Sequence, residues 1–536
     1  SVDPAQVITE TAYFSQQTVE QMKCFLLENT APHAVEEFCT FVIEKDLMTG
    51  LLRYTSECLD NNGVLTVSSI IDLFRLFFSA SCLRLYPKFL GPTAIDTFIR
   101  LFQNDPARET PPDPPYMAQV AQIRVTQIVP YPSGVVSILR YVAKLVFTRD
   151  VVLATMLDNV STKNVNLFIA WYRIEAGNRL LDDKATAAAV LEKFMQHARG
   201  SHERLGILHF YDTFLKAVNH TANKQKSIEI IVGSGVFPIV KEGICDTSSS
   251  ARSLALSIVE GLLDADLATT IERIFTGTLD NDSIMTVIVN QFIAETSYTM
   301  IVSFREFFER VFGPETLRLM DVEVDSSPKD SQRTSVDFFR TASIITQLYP
   351  RLIYLMYSPV MALPPEPVPS LALFPTSIPQ LEHHVSTVVD LVGMFCLEHG
   401  AKAKIYFTIQ QNFPALACAW IKYTNDITRC SFLRAIRKMV LVADHELLDV
   451  FLKNGLASNL ASLLAERRVQ NTLVESTCLS IIEAMKGRAS CKPLLEEFAR
   501  SASPLMVSST TSRLISEFWL TRGSTQVLAP TRSQRP

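Results

Sequence analysis

The chain has 536 residues, of which 48% are hydrophobic and 20% charged, with a mean hydropathy of +0.17; that much apolar material excludes disorder along the whole chain. It carries only 18 glycines, about half the ordinary share of ~7%, which argues against all-β folds and phosphate-loop α/β folds, since both spend glycine at turns. The net charge of -5 comes with a pI near 6.0 and no concentrated basic stripe of the kind a nucleic-acid binder carries.

Along the chain the dominant signal is helical. In VSSIIDLFRLFFSASCL, Ile70, Phe74, Phe77 and Phe78 fall at i, i+4, i+7 and i+8 with Asp72 and Arg75 between them, which predicts one buried and one wet face. Residues 104–119, NDPARETPPDPPYMAQ, hold five prolines and are expected as an extended connection. The run Val135 to Phe147 is apolar but broken by Arg140 and Lys144, so it is too short and too charged to cross a membrane. Gly235 and Pro238 mark a helix start, as do Asn412 and Pro414 further on, because Pro in a first turn needs no N–H. Residues 321–335 are polar and are expected as a mobile loop, 359–379 are Pro-rich and break the helical run, and 521–536 have no apolar period and are expected as a disordered tail. Near residue 432 the helical template returns: Phe432, Ile436, Met439 and Val440 on one side, Arg434, Arg437 and Lys438 on the other.

Self-similarity organises the C-terminal part. Seven apolar pairs recur at an offset of 42: Cys418/Leu460, Ile421/Leu463, Ile427/Val469, Phe432/Val474, Ile436/Cys478, Met439/Ile481 and Val440/Ile482. That offset lies in the ~40–47 residue window of HEAT and armadillo repeats. Each such repeat buries its apolar face against its neighbours, so the expectation is an all-α, armadillo/HEAT-like solenoid over residues 1–520. Charge is uneven along it, with 8 Lys+Arg against 15 Asp+Glu over residues 1–120 and 14 against 10 over 397–500. This fits either acidic and basic partner surfaces or ordinary solvated helix faces.

No catalytic constellation emerges. Gly233-Ser234-Gly235 leads to Pro238 where a phosphate loop needs its third glycine, and no G-K-[ST], G-x-S-x-G or H-E-x-x-H follows. His383 and His384 diverge by ~100° on a helix and are expected at an interface or on the surface; His197, His202 and His209 lack an acidic neighbour at ligand spacing. Trp171 and Trp420 are expected as core or groove anchors. The ten cysteines contain no C-x-x-C pair and mostly lie among Leu, Ile and Phe, which predicts buried, reduced thiols. No catalytic residue, metal or cofactor is therefore expected.

Several ordered stretches resemble the protein phosphatase 4 regulatory subunit 3 family, whose helical core is known as the SMEK or falafel-type domain. Arg124, Pro130, Pro132 and Ser133 match its R-x-x-[YQ]-I-x-[DQ]-x-x-L-P-x-P-S segment. Gly235, Pro238, Arg252, Ser253, Ala255 and Ile258 match its G-[IV]-x-P start and R-S-x-A-x-x-I helix; Tyr349 and Pro359 have its Y-x(9)-P spacing. Cys396-x-Glu398-His399, the helix with Arg434, Arg437, Lys438 and Asp444, and finally Asn471 and Ser476 follow in order. The resemblance covers roughly residues 15–500, and the loops at 321 and 359 fall where the family carries low-complexity insertions. His399 is followed by Gly400, where the family tends to repeat His.

The resemblance implies a non-catalytic regulatory scaffold of a serine/threonine phosphatase. Its partners would be the phosphatase 4 catalytic subunit, a second regulatory subunit and phosphoprotein substrates, in nucleus and cytoplasm, with no membrane and no direct nucleic-acid binding. Family members usually begin with a PH-like domain that grips proline-containing motifs, and a chain starting at Ser1 is expected to be a fragment without it. Arg434, Arg437 and Lys438, with Asn471, form a candidate partner-facing patch. The alternative is that Asn471 caps a helix while the basic residues pair with Asp444 or water. A general HEAT/armadillo adaptor without a phosphatase, or an enzyme with a spatially assembled site, are the competing function classes.

Overall fold

A computed structural model describes residues 14–29, 31–61, 63–80, 83–106, 112–124, 129–154, 157–221, 224–276, 283–314, 316, 349–363, 381–422, 425–466 and 472–502. Among them every regular element is helical and no strand occurs, so the chain is an all-α helical repeat protein. The helices group into two compact units, Ser1–Ile239 and Val240–Pro536.

The first unit runs through α1 (Gln16–Glu28), α2 (Pro32–Glu44), α3 (Leu47–Asp60), α4 (Val64–Ser79), α5 (Tyr86–Phe89), α6 (Ile95–Gln103), α7 (Tyr116–Ala121) and α8 (Ser133–Phe147). A π-helical turn, Thr148–Val152, follows, and then come α9 (Asn159–Asp182), α10 (Lys184–Gln196), α11 (His202–Asn219) and α12 (Gln225–Gly233). Helix α13 (Val236–Ile244) crosses into the second unit. The predicted face of α4 is buried throughout: Ile70, Phe74, Phe77 and Phe78 are at most 2% exposed. Phe74 packs edge-on to Phe89 and Phe98 with ring centroids 5.2 Å apart, a geometry that suits the ring quadrupoles.

The second unit contains α14 (Ser249–Ala265), α15 (Leu267–Phe275), α16 (Ile284–Ala294), α17 (Tyr298–Val311), α18 (Tyr354–Met356), α19 (Ser358–Met361) and α20 (Leu381–Glu398). It continues with α21 (Gly400–Ile405), α22 (Phe413–Trp420), α23 (Asp426–Val442), α24 (His445–Lys453), α25 (Leu456–Ala465), α26 (Leu473–Lys486) and α27 (Lys492–Ala502). Of the seven pairs at offset 42, six have both members buried. The exception is Ile427: it lies in the exposed first turn of α23 and is 61% exposed, while Val469 lies outside the described residues.

Polar side chains start many of these helices. Ser15, Asp158, Asp183, Ser201, Ser283 and Asn425 each accept the backbone N–H three residues on, satisfying a donor the helix leaves open. The expected starts at Gly235 and Asn412 hold. Gly235 has φ +84° before α13, and Asn412 has φ +46° before α22, with Pro414 in its first turn. A second recurring device went unread in the sequence. Arg252 and Arg429 each sit four residues beyond an N-cap and reach back to carbonyls of the preceding connection: Arg252 to Asp246 and Thr247, and Arg429 to Ile421 and Lys422. The guanidinium thereby closes the carbonyls that a helix end leaves free.

Some expectations change. Residues 116–119 of the supposed extended connection form the start of α7, with Pro115 at its N-cap. Pro359 does not break a helix: it occupies the first turn of α19, where its missing N–H costs nothing. His384 is fully buried, its Nε2 2.8 Å from the Phe292 carbonyl oxygen, because α20 is apolar on nearly every side. Trp420 is 1% exposed, whereas Trp171 is 56% exposed and is no core residue. The segments 321–335, 364–379 and 521–536 lie outside the described residues.

Candidate functional site

Helices α14, α17, α20, α23 and α26 pack successively against one another. α20 and α23 cross closely: an added Cβ at Gly393 would stand 2.8 Å from the Ala435 Cα. Ion pairs tie α14, α17, α20 and α23 in turn. Arg310 of α17 pairs with Asp264 of α14. Asp390 of α20 engages both neighbours: it forms an ion pair with Arg305 of α17 at 3.2 Å, and it accepts from Arg434 of α23 at 3.0 Å from Nε and 2.8 Å from Nη2. The Ser431 hydroxyl completes the cluster, 3.2 Å from the same carboxylate.

The Asp390 side chain is only 5% exposed, and a buried carboxylate is tolerable when two guanidiniums and a hydroxyl satisfy it. The hydrogen bonds that Arg434 donates to Asp390 in turn raise its pKa above the ordinary arginine value, against the opposing effect of burial. Sequence reading missed Asp390, although one signal was present: it is a lone acid in the apolar run VSTVVDLVGM.

The three candidate basic residues therefore divide. Arg434 is committed to Asp390, while Arg437 is exposed and Lys438 half-buried on the same face of α23, at i, i+3 and i+4. The Lys438 stem lies over Gly393, with its Cδ 3.2 Å from where a Cβ would stand. Neither Arg437 nor Lys438 has an ion-pair partner among the described residues. Asp444 is not the counter-charge: it accepts from the Leu447 N–H at 3.1 Å as the N-cap of α24 and pairs with Lys404. Asn471 lies outside the described residues, and the N-cap of α26 is Thr472, which accepts from the Glu475 N–H at 3.4 Å.

Other motif residues sit at joints in the packing. Tyr349 and His399, fifty residues apart, meet with Oη to Nδ1 at 2.8 Å, and His399 Nε2 lies 3.1 Å from the Phe312 carbonyl oxygen. Buried Cys396 is close enough to bear electrostatically on the Tyr349 phenol. Arg252 makes a two-pronged bond to Glu295, with Nε–Oε2 2.8 Å and Nη2–Oε1 2.9 Å. Among the described residues, no three His, Cys, Asp or Glu side chains converge as a metal site, and no helix is long and apolar enough to cross a membrane.

The likenesses to known proteins bear on this directly. A family model described as phosphatase 4 regulatory subunit 3 matches residues 28–518. No curated protein matches. Among solved structures, an engineered protein solved by crystallography aligns over 90% of this chain and 98% of its own at 9% identity, with a TM-score of 0.27. That last likeness is too weak to carry an argument. The family match spans nearly the whole chain, from the last residue of α1 past the end of α27, and takes in all the motif-bearing helices. The chain belongs to the phosphatase 4 regulatory subunit 3 family.

Proposed function

We propose that the chain acts as a non-catalytic scaffold of a phosphatase 4 complex. In that role it holds the catalytic subunit and a second regulatory subunit and presents phosphoprotein substrates, in nucleus and cytoplasm. The observation that carries this reading is the family match over residues 28–518. An array of packed helices suits the role, since neighbouring repeats support a long surface without a central site. Arg437 and Lys438 are the partner-facing cations of α23, and Arg434 is the buttress that fixes the helix through Asp390.

The test is affinity purification of the tagged chain. A metal-dependent serine/threonine phosphatase should co-purify in stoichiometric amount, and its absence would leave a general adaptor. The double variant Arg437→Glu, Lys438→Glu should weaken capture of the phosphatase or its substrates about tenfold, as expected for charges within a small hot spot. Arg434 is kept in this variant because its loss would also unpair buried Asp390. Unchanged capture would remove α23 from the interface while leaving the scaffold reading intact. A purified chain that hydrolyses a phosphopeptide with no phosphatase present would overturn the non-catalytic role.

A further inference from the structure

Helices α14, α17, α20 and α23 run parallel, because the links between neighbours advance in step along both. Arg252 near the start of α14 holds Glu295 just before α17, and Asp264 near the end of α14 pairs with Arg310 near the end of α17. Between α17 and α20, the Tyr298 and His383 rings meet at 4.7 Å and Arg305 pairs with Asp390. Between α20 and α23, Ser386 and Thr428 bond at 3.0 Å, and Asp390 holds Arg434. Residues at matching heights therefore form rows that cross the helices. Glu260 and Glu306 each stand one turn before the paired Asp264 and Arg310, so they share that seam. Met394 and Leu397 follow Asp390 by one and two turns, beside the Arg305 and Arg434 side chains, which are 37% and 40% exposed. Arg437 and Lys438 continue the row on α23.

The ion pairs already made leave opposite charge at the two ends of this row. Arg310 is taken by Asp264, Arg305 by Glu309 at 2.9 Å and by Asp390, and Arg434 by Asp390. Half-buried Glu260 and exposed Glu306 then have no hydrogen bond or ion pair among the described residues, and neither have Arg437 and Lys438. Burial pushes the Glu260 carboxyl above its ordinary value; Arg310 opposes this, and Glu306 and Asp264 add to it. Gly393 faces α23, so exposed Glu398, about 140° further around α20, turns to the α17 side and adds to the acidic end. Beyond α23, Glu483 is paired with Lys486 at 3.2 Å within α26 and does not offset the cations. Between the two ends Leu397 is 38% exposed, on a helix that is otherwise almost wholly buried. Neighbouring axes lie about 8–10 Å apart, which puts α17 and α23 about 20 Å from each other, beyond the ~8 Å screening length at physiological salt. The two ends therefore cannot neutralise each other within the chain.

We propose that a segment of a partner protein crosses this row in extended form, with a lysine or arginine on Glu260 and Glu306, an apolar side chain on Met394 and Leu397, and a carboxylate on Arg437 and Lys438. Charge complementarity selects an occupant that carries both signs. The order acid, apolar, base on successive helices selects one that runs across them. An extended chain advances about 3.3 Å per residue, so about 20 Å corresponds to about six residues, with the apolar anchor midway. This deepens the scaffold reading, from which it takes the partner-facing role of α23.

The probe is a yeast-display library of random linear peptides about 12 residues long, selected on the purified full chain. Enriched peptides should carry a basic and an acidic residue about five to seven apart, with Leu, Ile, Met or Phe between them. Glu306→Lys, and separately Arg437→Glu with Lys438→Glu, should each weaken their binding at least about tenfold. Both variants should keep the parent thermal midpoint, because the replaced side chains pair with nothing in the chain. Changing the acidic residue of an enriched peptide to lysine should restore binding to the Arg437→Glu, Lys438→Glu chain, which a loss of fold would not allow. Peptides of a single charge sign, no enrichment, equal binding by both variants, or no rescue by the reversed peptide would each overturn the proposal. So would a concentration-dependent dimer in sedimentation that either variant abolishes, since the row would then serve a second copy of this chain. No phosphatase enters the selection. Enrichment without a co-purifying phosphatase would sink the scaffold reading alone, and co-purification without enrichment would sink the crossing segment alone.

Discussion

Glu295 shows how much one side chain can hold. Its carboxylate is 1% exposed and receives the Arg252 guanidinium in two bonds together with the Thr296 and Ser297 N–H groups at 2.9 and 3.0 Å. Replacing it with Ala leaves Arg252, 10% exposed, without its anion, and we expect a loss of about 3–5 kcal/mol, read as a shift in the urea midpoint. The half-exposed pair Arg100–Asp60 should cost under about 1 kcal/mol when broken. Acid should reveal the same residue. Burial pushes the Glu295 carboxyl up, but the Ser297 N–H, Arg252 and the Thr296 N–H outweigh it and hold the pKa below the ordinary glutamate value of 4.5. A depressed folded pKa gives stability that is complete above the ordinary value and is lost as pH falls through the folded one. Glu295→Gln should therefore flatten the acid limb of the stability curve below about pH 4.5. Arg252 was visible in the sequence as part of a motif, but its partner, 43 residues on, was not. Nothing in local periodicity links an arginine in one helix to the residue that ends another two helices later.

At the scale of the element, glycine scarcity acquires a meaning that the bare count lacked. Gly393 is where α20 and α23 cross, and an added Cβ meets the Ala435 backbone at 2.8 Å. Gly206, within α11, has nothing within 4 Å of the same added atom. The two substitutions to alanine should thus have opposite signs. At both sites alanine gains up to ~1 kcal/mol of helix propensity. At Gly393 that gain is opposed by overpacking of ~1–3 kcal/mol, because neither backbone can move aside without unseating its helix. Thermal melts should show Gly206→Ala raised and Gly393→Ala lowered; a stabilised Gly393→Ala would mean that the crossing is looser than drawn. The helices themselves were legible, since periodicity located α4 and α23 by their buried residues. The offset of 42 failed only at Ile427, where a first-turn position carries an apolar residue that its helix does not bury. The crossing point was illegible because a glycine in an apolar helix looks the same in sequence whether or not another helix lies against it.

For the whole molecule, the all-α class and the family were readable because both rest on patterns repeated over hundreds of residues. The division of the basic patch was not, since it depends on one carboxylate, Asp390, brought across from a neighbouring helix. The cysteines give the molecule a global test. Nine free cysteines are described, of which Cys24 is exposed, Cys58 and Cys245 are partly buried, and Cys39, Cys396, Cys418, Cys430, Cys478 and Cys491 are buried. Burial pushes the Cys396, Cys418 and Cys478 thiols up to about 12, so almost no thiolate exists there at neutral pH, and the thiolate is the species that reacts. In native buffer at pH 7.5 (roughly a unit below the free thiol pKa), a maleimide or disulfide reagent followed by peptide mass mapping should modify Cys24 first among these nine. The buried thiols should wait for an opening of the surrounding helices, and their labelling rates should rise with urea. Cys39 then reports the first unit, and Cys396, Cys418 and Cys478 report the second, so two labelling profiles measure the stability of each unit inside the intact chain. Prompt labelling of Cys418 or Cys478 without denaturant would contradict the packing of α22 and α26, and with it the repeat arrangement on which the α23 surface depends.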